Sequence, residues 1–244
     1  MKITGDYHTH TIYSHGKGTI RDNVEAAIKK GLKEIAICDH GPAHYLYGVK
    51  KSKLFEMREE IDKLNKEYAK DIKILLGVEA NVISYDGTID VDYDIINIID
   101  ILLLGYHYGV TPKSIIDGLF MYMVNPLSKI APVYREKIIE KNTEALIKAI
   151  NKYPVDIITH PGSKAKLDIE KLGKAAFTKG VALEINSNHS QLSVENIKIA
   201  LKTEVNFYIN SDAHDPENVA NLEKGIERAK KANVPIHRIK NLVD

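Results

Sequence analysis

His8 and His10 sit two residues apart near the start of the chain, and Asp212 and His214 sit two apart near its end. In an extended chain, side chains at that spacing share a face, so each pair can present two donors to one cation. His15, Asp39-His40, Glu79, His107 and His160 extend the set of imidazoles and carboxylates along the sequence. Imidazole mixed with carboxylate suits zinc, manganese or iron, whereas magnesium and calcium sites are built mainly from oxygen. One tetrahedral ion takes three or four ligands. So many donors imply two to three divalent transition-metal ions, with the two oxygens of Glu79 as the natural bridge.

These donors share a place in the pattern. Short β-branched runs alternate with longer helical stretches, giving strand candidates at 3–8, 34–39, 72–78, 101–106, 155–159, 181–186 and 206–211. Helix candidates fill the gaps at 20–30, 53–69, 135–153, 169–179, 194–202 and 216–233. Seven strands in strict βα alternation, with no glycine-rich nucleotide fingerprint after the first, predict a distorted seven-stranded (β/α)7 barrel of the TIM type rather than an open doubly wound sheet. Either fold places chemistry at the carboxyl ends of its strands, where seven of the ten histidines fall. A histidine pair, or a single buried His107 or His160, carries little weight alone. Their shared place at successive strand ends carries the argument.

Asp39 precedes His40 and points the other way in a regular strand, so a supporting role competes with ligation. Asn186, Asn188 and His189 follow the sixth strand and face the same mouth, where the amides can hold substrate or cap the next turn. His44 and His237 lack such context and read as ordinary core or surface residues. Cys38 reads as a small buried hydrophobe. Segment 108–133 mixes Gly109, Pro112, Gly118, Pro126 and Pro132 with Phe120, Met121, Tyr122 and Met123, the pattern of a packed insertion or a lid in one domain spanning 1–244.

Composition narrows the partners. The 34 basic and 33 acidic residues give a net charge of +1, so no chain-wide basic field holds nucleic acid. No apolar run reaches the roughly 20 residues of a membrane span, and the start MKITGDYHTH has no apolar leader core. With one cysteine, Cys38, a cytoplasmic location is expected.

The motifs H-T-H at 8–10, D-H-G at 39–41, G-V-E-A-N at 77–81, G-Y-H at 105–107, T-H-P-G at 159–162, L-E-I-N at 183–186 and S-D-A-H at 211–214 together resemble the polymerase and histidinol phosphatase (PHP) superfamily, above all its small stand-alone phosphatases. The resemblance spans nearly the whole chain. It implies a distorted barrel whose mouth holds a trinuclear metal centre that hydrolyses phosphate esters. It also implies ligands at His8, His10, Glu79 and Asp212 for one ion, at Glu79, His107 and His160 for a second, and at His15, His40 and His214 for the third.

For such a hydrolase, clustered ions supply both a nucleophile and charge neutralisation. Asp212 is expected to help orient the nucleophile, His189 to protonate the leaving alcohol and Arg135 to contact phosphate. A phosphomonoesterase acting on a small metabolite, histidinol phosphate being one example, is the leading reading. A nuclease acting on nucleic-acid ends would require a basic groove, and a non-catalytic metal-stabilised module would have lost ligands.

Overall fold

The computed structural model describes residues 2–130 and 132–243. Seven strands form one parallel sheet: β1 (Gly5–Thr9), β2 (Glu34–Ile37), β3 (Lys73–Asn81), β4 (Ile101–Gly105), β5 (Ile157–Ile158), β6 (Ala182–Asn186) and β7 (Phe207–Asn210). Each pairs with its sequence neighbour, as right-handed βα units demand. The first and last strands meet through one bridge between Thr9 and Ala213 and a hydrogen bond from the Tyr7 amide to Asn210 Oδ1. The sheet therefore curls into a nearly closed barrel, as the alternation predicts. Outside it, Lys2–Ile3 pairs antiparallel with Leu242–Val243.

Apolar alternation sets the layers. Ile74, Leu76 and Val78 of β3 pack in the large cluster that includes the helices, while Leu75 joins Tyr7, Ala36, Cys38, Leu103 and Ile157 in a second, smaller cluster. Period-2 geometry puts Gly77 and Glu79 on the same side as Leu75. Cys38 is buried, as its apolar surroundings in the sequence indicate.

The helices are α1 (Ile20–Lys29), α2 (Lys51–Glu67), α3 (Tyr93–Ile96), α4 (Ile115–Leu119), α5 (Leu127–Ile130), α6 (Pro132–Lys152), α7 (Ile169–Lys179), α8 (Val194–Leu201) and α9 (Glu223–Lys231). α1 starts on a capping box in which the Thr19 hydroxyl and the Asp22 carboxylate satisfy each other's backbone amides. α7 ends on Gly180 at φ 72°, a left-handed cap. No helix among the described residues is long and apolar enough to cross a membrane.

One expectation changes. The stretch 216–233 is a short 3-10 turn at Pro216–Asn218 followed by α9, because Val219 is extended and Ala220 takes φ 58° between them. Segment 108–133 is mostly helical: α4, capped by the Ser114 hydroxyl, runs into a π-helical turn at Phe120–Val124 and then α5. Its helices bury little beyond Met121, so no apolar periodicity marks them in the sequence.

Candidate metal centre

Glu79 sits at the middle of the barrel mouth with both oxygens engaged. Its Oε1 lies 3.2 Å from His8 Nε2, 3.0 Å from His107 Nε2 and 2.9 Å from His160 Nε2. Oε2 lies 2.9 Å from His40 Nδ1 and 3.6 Å from His10 Nε2. Asp212 approaches from the opposite edge, with Oδ1 3.2 Å from His10 Nε2 and 3.6 Å from His8 Nε2. His214 is 3.6 Å from the same oxygen, and its ring stacks on His10 at a centroid separation of 4.2 Å. His15 lies flat against His40, their centroids 4.9 Å apart. The nine expected ligands thus converge, although Glu79 and His8 lie inside strands rather than after them.

The backbone is shaped to aim them. The pairing of β1 with β2 shifts register between Asp6 and Thr9, an irregularity that turns His8 and His10 to the mouth. His160 and Asp212 adopt φ 26° and 56°, backbone that costs about 1–3 kcal/mol per residue and is characteristic of functional sites. At Gly105, an added Cβ would lie 2.4 Å from Thr159 Oγ1 and 3.3 Å from the rings of both His107 and His160, so glycine leaves these imidazoles room.

A ring of buried polar groups fixes the donors. His8 Nδ1 donates to Glu184 Oε1 at 2.7 Å, leaving Nε2 to face the mouth. Glu184 Oε2 accepts the His160 amide at 2.7 Å and Asn186 Nδ2 at 2.9 Å. His107 Nδ1 donates to Asn81 Oδ1 at 2.7 Å, and Asn81 Nδ2 in turn donates to Asp90 at 2.6 Å. Asp39 accepts from the Thr11 amide at 2.8 Å and from the hydroxyls of Thr11 and Ser14, the supporting role that competed with ligation.

Electrostatics follow from burial. Burial would raise the pKa of Glu79, but His107 and His8 hold it well below the usual carboxylate range. Burial likewise opposes ionisation of Asp212, and His8 and His10 pull it far down. Burial, with His214 and His40 nearby, lowers His15 to about 4. His107 is also lowered to about 4 by burial, against the pull of Glu79. Both rings are neutral at neutral pH, the form that binds metal.

The donors fit a group of cations. Four sets, His8-His10-Glu79, His10-His40-His214, His40-Glu79-His107 and His160-His189-Asp212, each bring their ligand atoms within 4.8 Å of one another. His40 Nδ1 is buried and, although 2.9 Å from Glu79 Oε2, makes no aligned hydrogen bond, an arrangement that suits a cation shared by the two side chains.

Several expectations are redrawn. Asn186 spends its amide on Glu184 and Asp212, and its Oδ1 caps the turn at the amides of Asn188 and His189, 2.9 and 2.8 Å away. Asn188 Nδ2 donates to the Asp212 carbonyl at 3.1 Å. Both amides thus hold the Asp212 backbone and side chain, and neither is among the residues lining the cavity. Arg135 donates to the Ser128 carbonyl at 3.0 Å from α6 and does not line the cavity either, because the turn of α5 occupies its guanidinium. His189 stacks on His160 at 4.9 Å with Nε2 3.6 Å from Asp212 Oδ2, at the edge of the cluster. His44, read as ordinary, stacks on His40 at 4.9 Å and lines the mouth, while His237 is exposed far along the chain. Glu184 and Lys164 join the site without a role expected of them from the sequence. A carboxylate in the otherwise apolar run Val181–Ile185 was the available signal for Glu184; Lys164 had none.

The mouth encloses about 270 Å3, with Glu79 and Asp212 at its floor and Tyr47, Tyr108 and Lys164 at its rim. Fold and site together define an α/β barrel that gathers metal-binding side chains at the ends of its strands. The chain belongs to the PHP domain family, whose model matches residues 6–233. A probable phosphatase from Shewanella piezotolerans is 31% identical over 99% of this chain and 90% of its own length. The DNA polymerase/3'-5' exonuclease PolX of Bacillus subtilis is 33% identical over 94% of this chain but only 37% of its own length. Among solved structures, histidinol phosphate phosphatase from Lactococcus lactis, complexed with zinc, L-histidinol and phosphate, superposes with TM-score 0.63 at 17% identity over 94% of this chain and 93% of that one.

Proposed function

We propose that this chain is a metal-dependent phosphomonoesterase acting on a small molecule. It is a hydrolase of phosphoric ester bonds by its family and its phosphatase relatives. The observation that carries the finer reading is the pairing of Glu79, central to five imidazoles, with a mouth of about 270 Å3 that suits one phosphate and a short organic group.

The residues His8, His10, His15, His40, Glu79, His107, His160, Asp212 and His214 would hold two to three divalent ions, zinc, manganese or iron. Such ions lower the pKa of water towards neutrality and offset the charge on phosphate. The chain does the rest. Glu184 and Asn81 fix the tautomers of His8 and His107. Asn186 holds Asp212 Oδ2, leaving Oδ1 to orient the attacking water. His189 stands beside Asp212 with its ring at the mouth, where it can pass a proton to the departing alcohol oxygen. The cation at the mouth is Lys164 and not Arg135.

The exonuclease relative favours a second reading, a nuclease. That activity needs several basic side chains tracking a backbone, and Lys164 is the single lysine or arginine among the described residues that lines the cavity. A screen of phosphate esters with metal-loaded protein tests the choice. Aryl and small aliphatic monoesters should be turned over at least about tenfold faster than bis-aryl phosphate or single-stranded DNA, about 1.4 kcal/mol in barrier. Faster cleavage of oligonucleotides, weakened by salt, would establish the nuclease.

A further inference from the structure

The rim of the mouth differs in character from its floor. Glu79 and Asp212 are 1% and 4% exposed, whereas Tyr47 and Tyr108 are 39% and 46% exposed. A monoester whose phosphorus reaches the floor must send its organic group out past these rings. There it meets Lys164, whose ammonium lies 5.7 Å from the centre of the Tyr108 ring. The loop bearing Lys164 is pinned, since its carbonyl accepts from Asn125 Nδ2. Lys51, Lys113 and Lys171 each hold a carboxylate within 4.0 Å, but Lys164 has none among the described residues. The phosphate itself is met at the floor, so this positive charge is left to face the organic group.

We infer that Lys164 selects phosphate monoesters whose organic group carries a second anion, a carboxylate or another phosphate, and disfavours those carrying an ammonium. The inference rests on the phosphomonoesterase reading. An unpaired cation beside an aromatic face, partly shielded from water, attracts an anion and repels an ammonium strongly enough to set preference between otherwise similar esters. It argues against an amino-alcohol phosphate as the substrate of this chain.

The test compares kcat/KM of the metal-loaded protein on 3-phosphoglycerate, fructose 1,6-bisphosphate, glycerol 3-phosphate and phosphoethanolamine, with an aryl phosphate alongside. The wild type should favour at least one of the two anionic esters over phosphoethanolamine by tenfold or more, mainly through KM. Which anionic ester leads tells carboxylate from second phosphate. Lys164→Gln should bring that ratio close to one, and Lys164→Glu should invert it. A wild-type ratio near or below one would overturn the inference. So would variants that lose all esters equally, since Lys164 would then act on the common phosphate or on the loop alone. Turnover of the aryl phosphate without discrimination among the other esters would sink this inference only. No phosphate release from any ester would sink the phosphomonoesterase reading, and this inference with it.

Discussion

Glu184 and His8, far apart in sequence, meet in a 2.7 Å hydrogen bond wholly shielded from solvent, and that bond decides which nitrogen of His8 faces the mouth. Glu184 also receives the His160 amide and Asn210 Nδ2, so one carboxylate holds three strands in register with the site. Glu184→Gln should therefore leave the secondary structure intact and weaken metal affinity by about 10- to 100-fold. Competition with a chromophoric chelator measures this, and wild-type affinity in the variant would remove Glu184 from the role.

Glu79→Gln and Asp212→Asn change side-chain volume little but remove a charge from the centre. Each should lower kcat by more than about a thousandfold, roughly 4 kcal/mol in barrier, while circular dichroism stays native. Near wild-type turnover with full metal content would exclude the substituted residue. His237→Asn is the internal control. His44→Asn is not one, because its ring stacks on His40.

Acid should destabilise the metal-free protein through particular rings. His15 and His107 are held at about 4 when folded and return to the ordinary 6.5 when unfolded, so unfolding takes up protons between those values. Their contribution to stability is thus full above about 6.5 and falls as pH drops towards 4. His8 works the other way: burial lowers it, but Glu184, Glu79 and Asp212 together raise it, so its contribution is present in acid and fades as pH rises through its folded value. Metal-free His107→Asn should show a flatter decline in melting temperature from pH 6.5 to 4 than wild type. An unchanged slope would contradict the assignment.

Gly105→Ala tests the packing at the strand end. Its methyl would press on Thr159 Oγ1 and crowd two imidazoles, costing about 1–3 kcal/mol and displacing His107 and His160. The expected result is a lower melting temperature together with reduced metal content, and full metal content in the variant would show that the strand end can yield.

Much of this was legible because the donors obey one rule. His10, His40, His107, His160 and His214 follow β1, β2, β4, β5 and β7, and the strand pattern is set by apolar runs such as Ile101–Leu104. His44 and Lys164 lie on loops whose course depends on partners far along the chain: His44 bridges to Val110, and the Lys164 carbonyl binds Asn125. Glu184 and Asn186 are two apart on β6 and share a face, but only the closed barrel reveals that this face meets His8 and Asp212. Arg135 illustrates the converse. Nothing in the sequence distinguishes an Arg135 that contacts phosphate from one that, as the structure has it, donates to the Ser128 carbonyl.

On the proposed function, these donors would assemble a multinuclear centre that the reaction requires. Chelator-stripped protein titrated with manganese or zinc, with bound metal and phosphate release from an aryl phosphate followed together, tests it most directly. Two to three ions should bind per chain, and turnover should appear only once more than one ion is bound. Saturation at a single ion, or full turnover in the stripped protein, would contradict it.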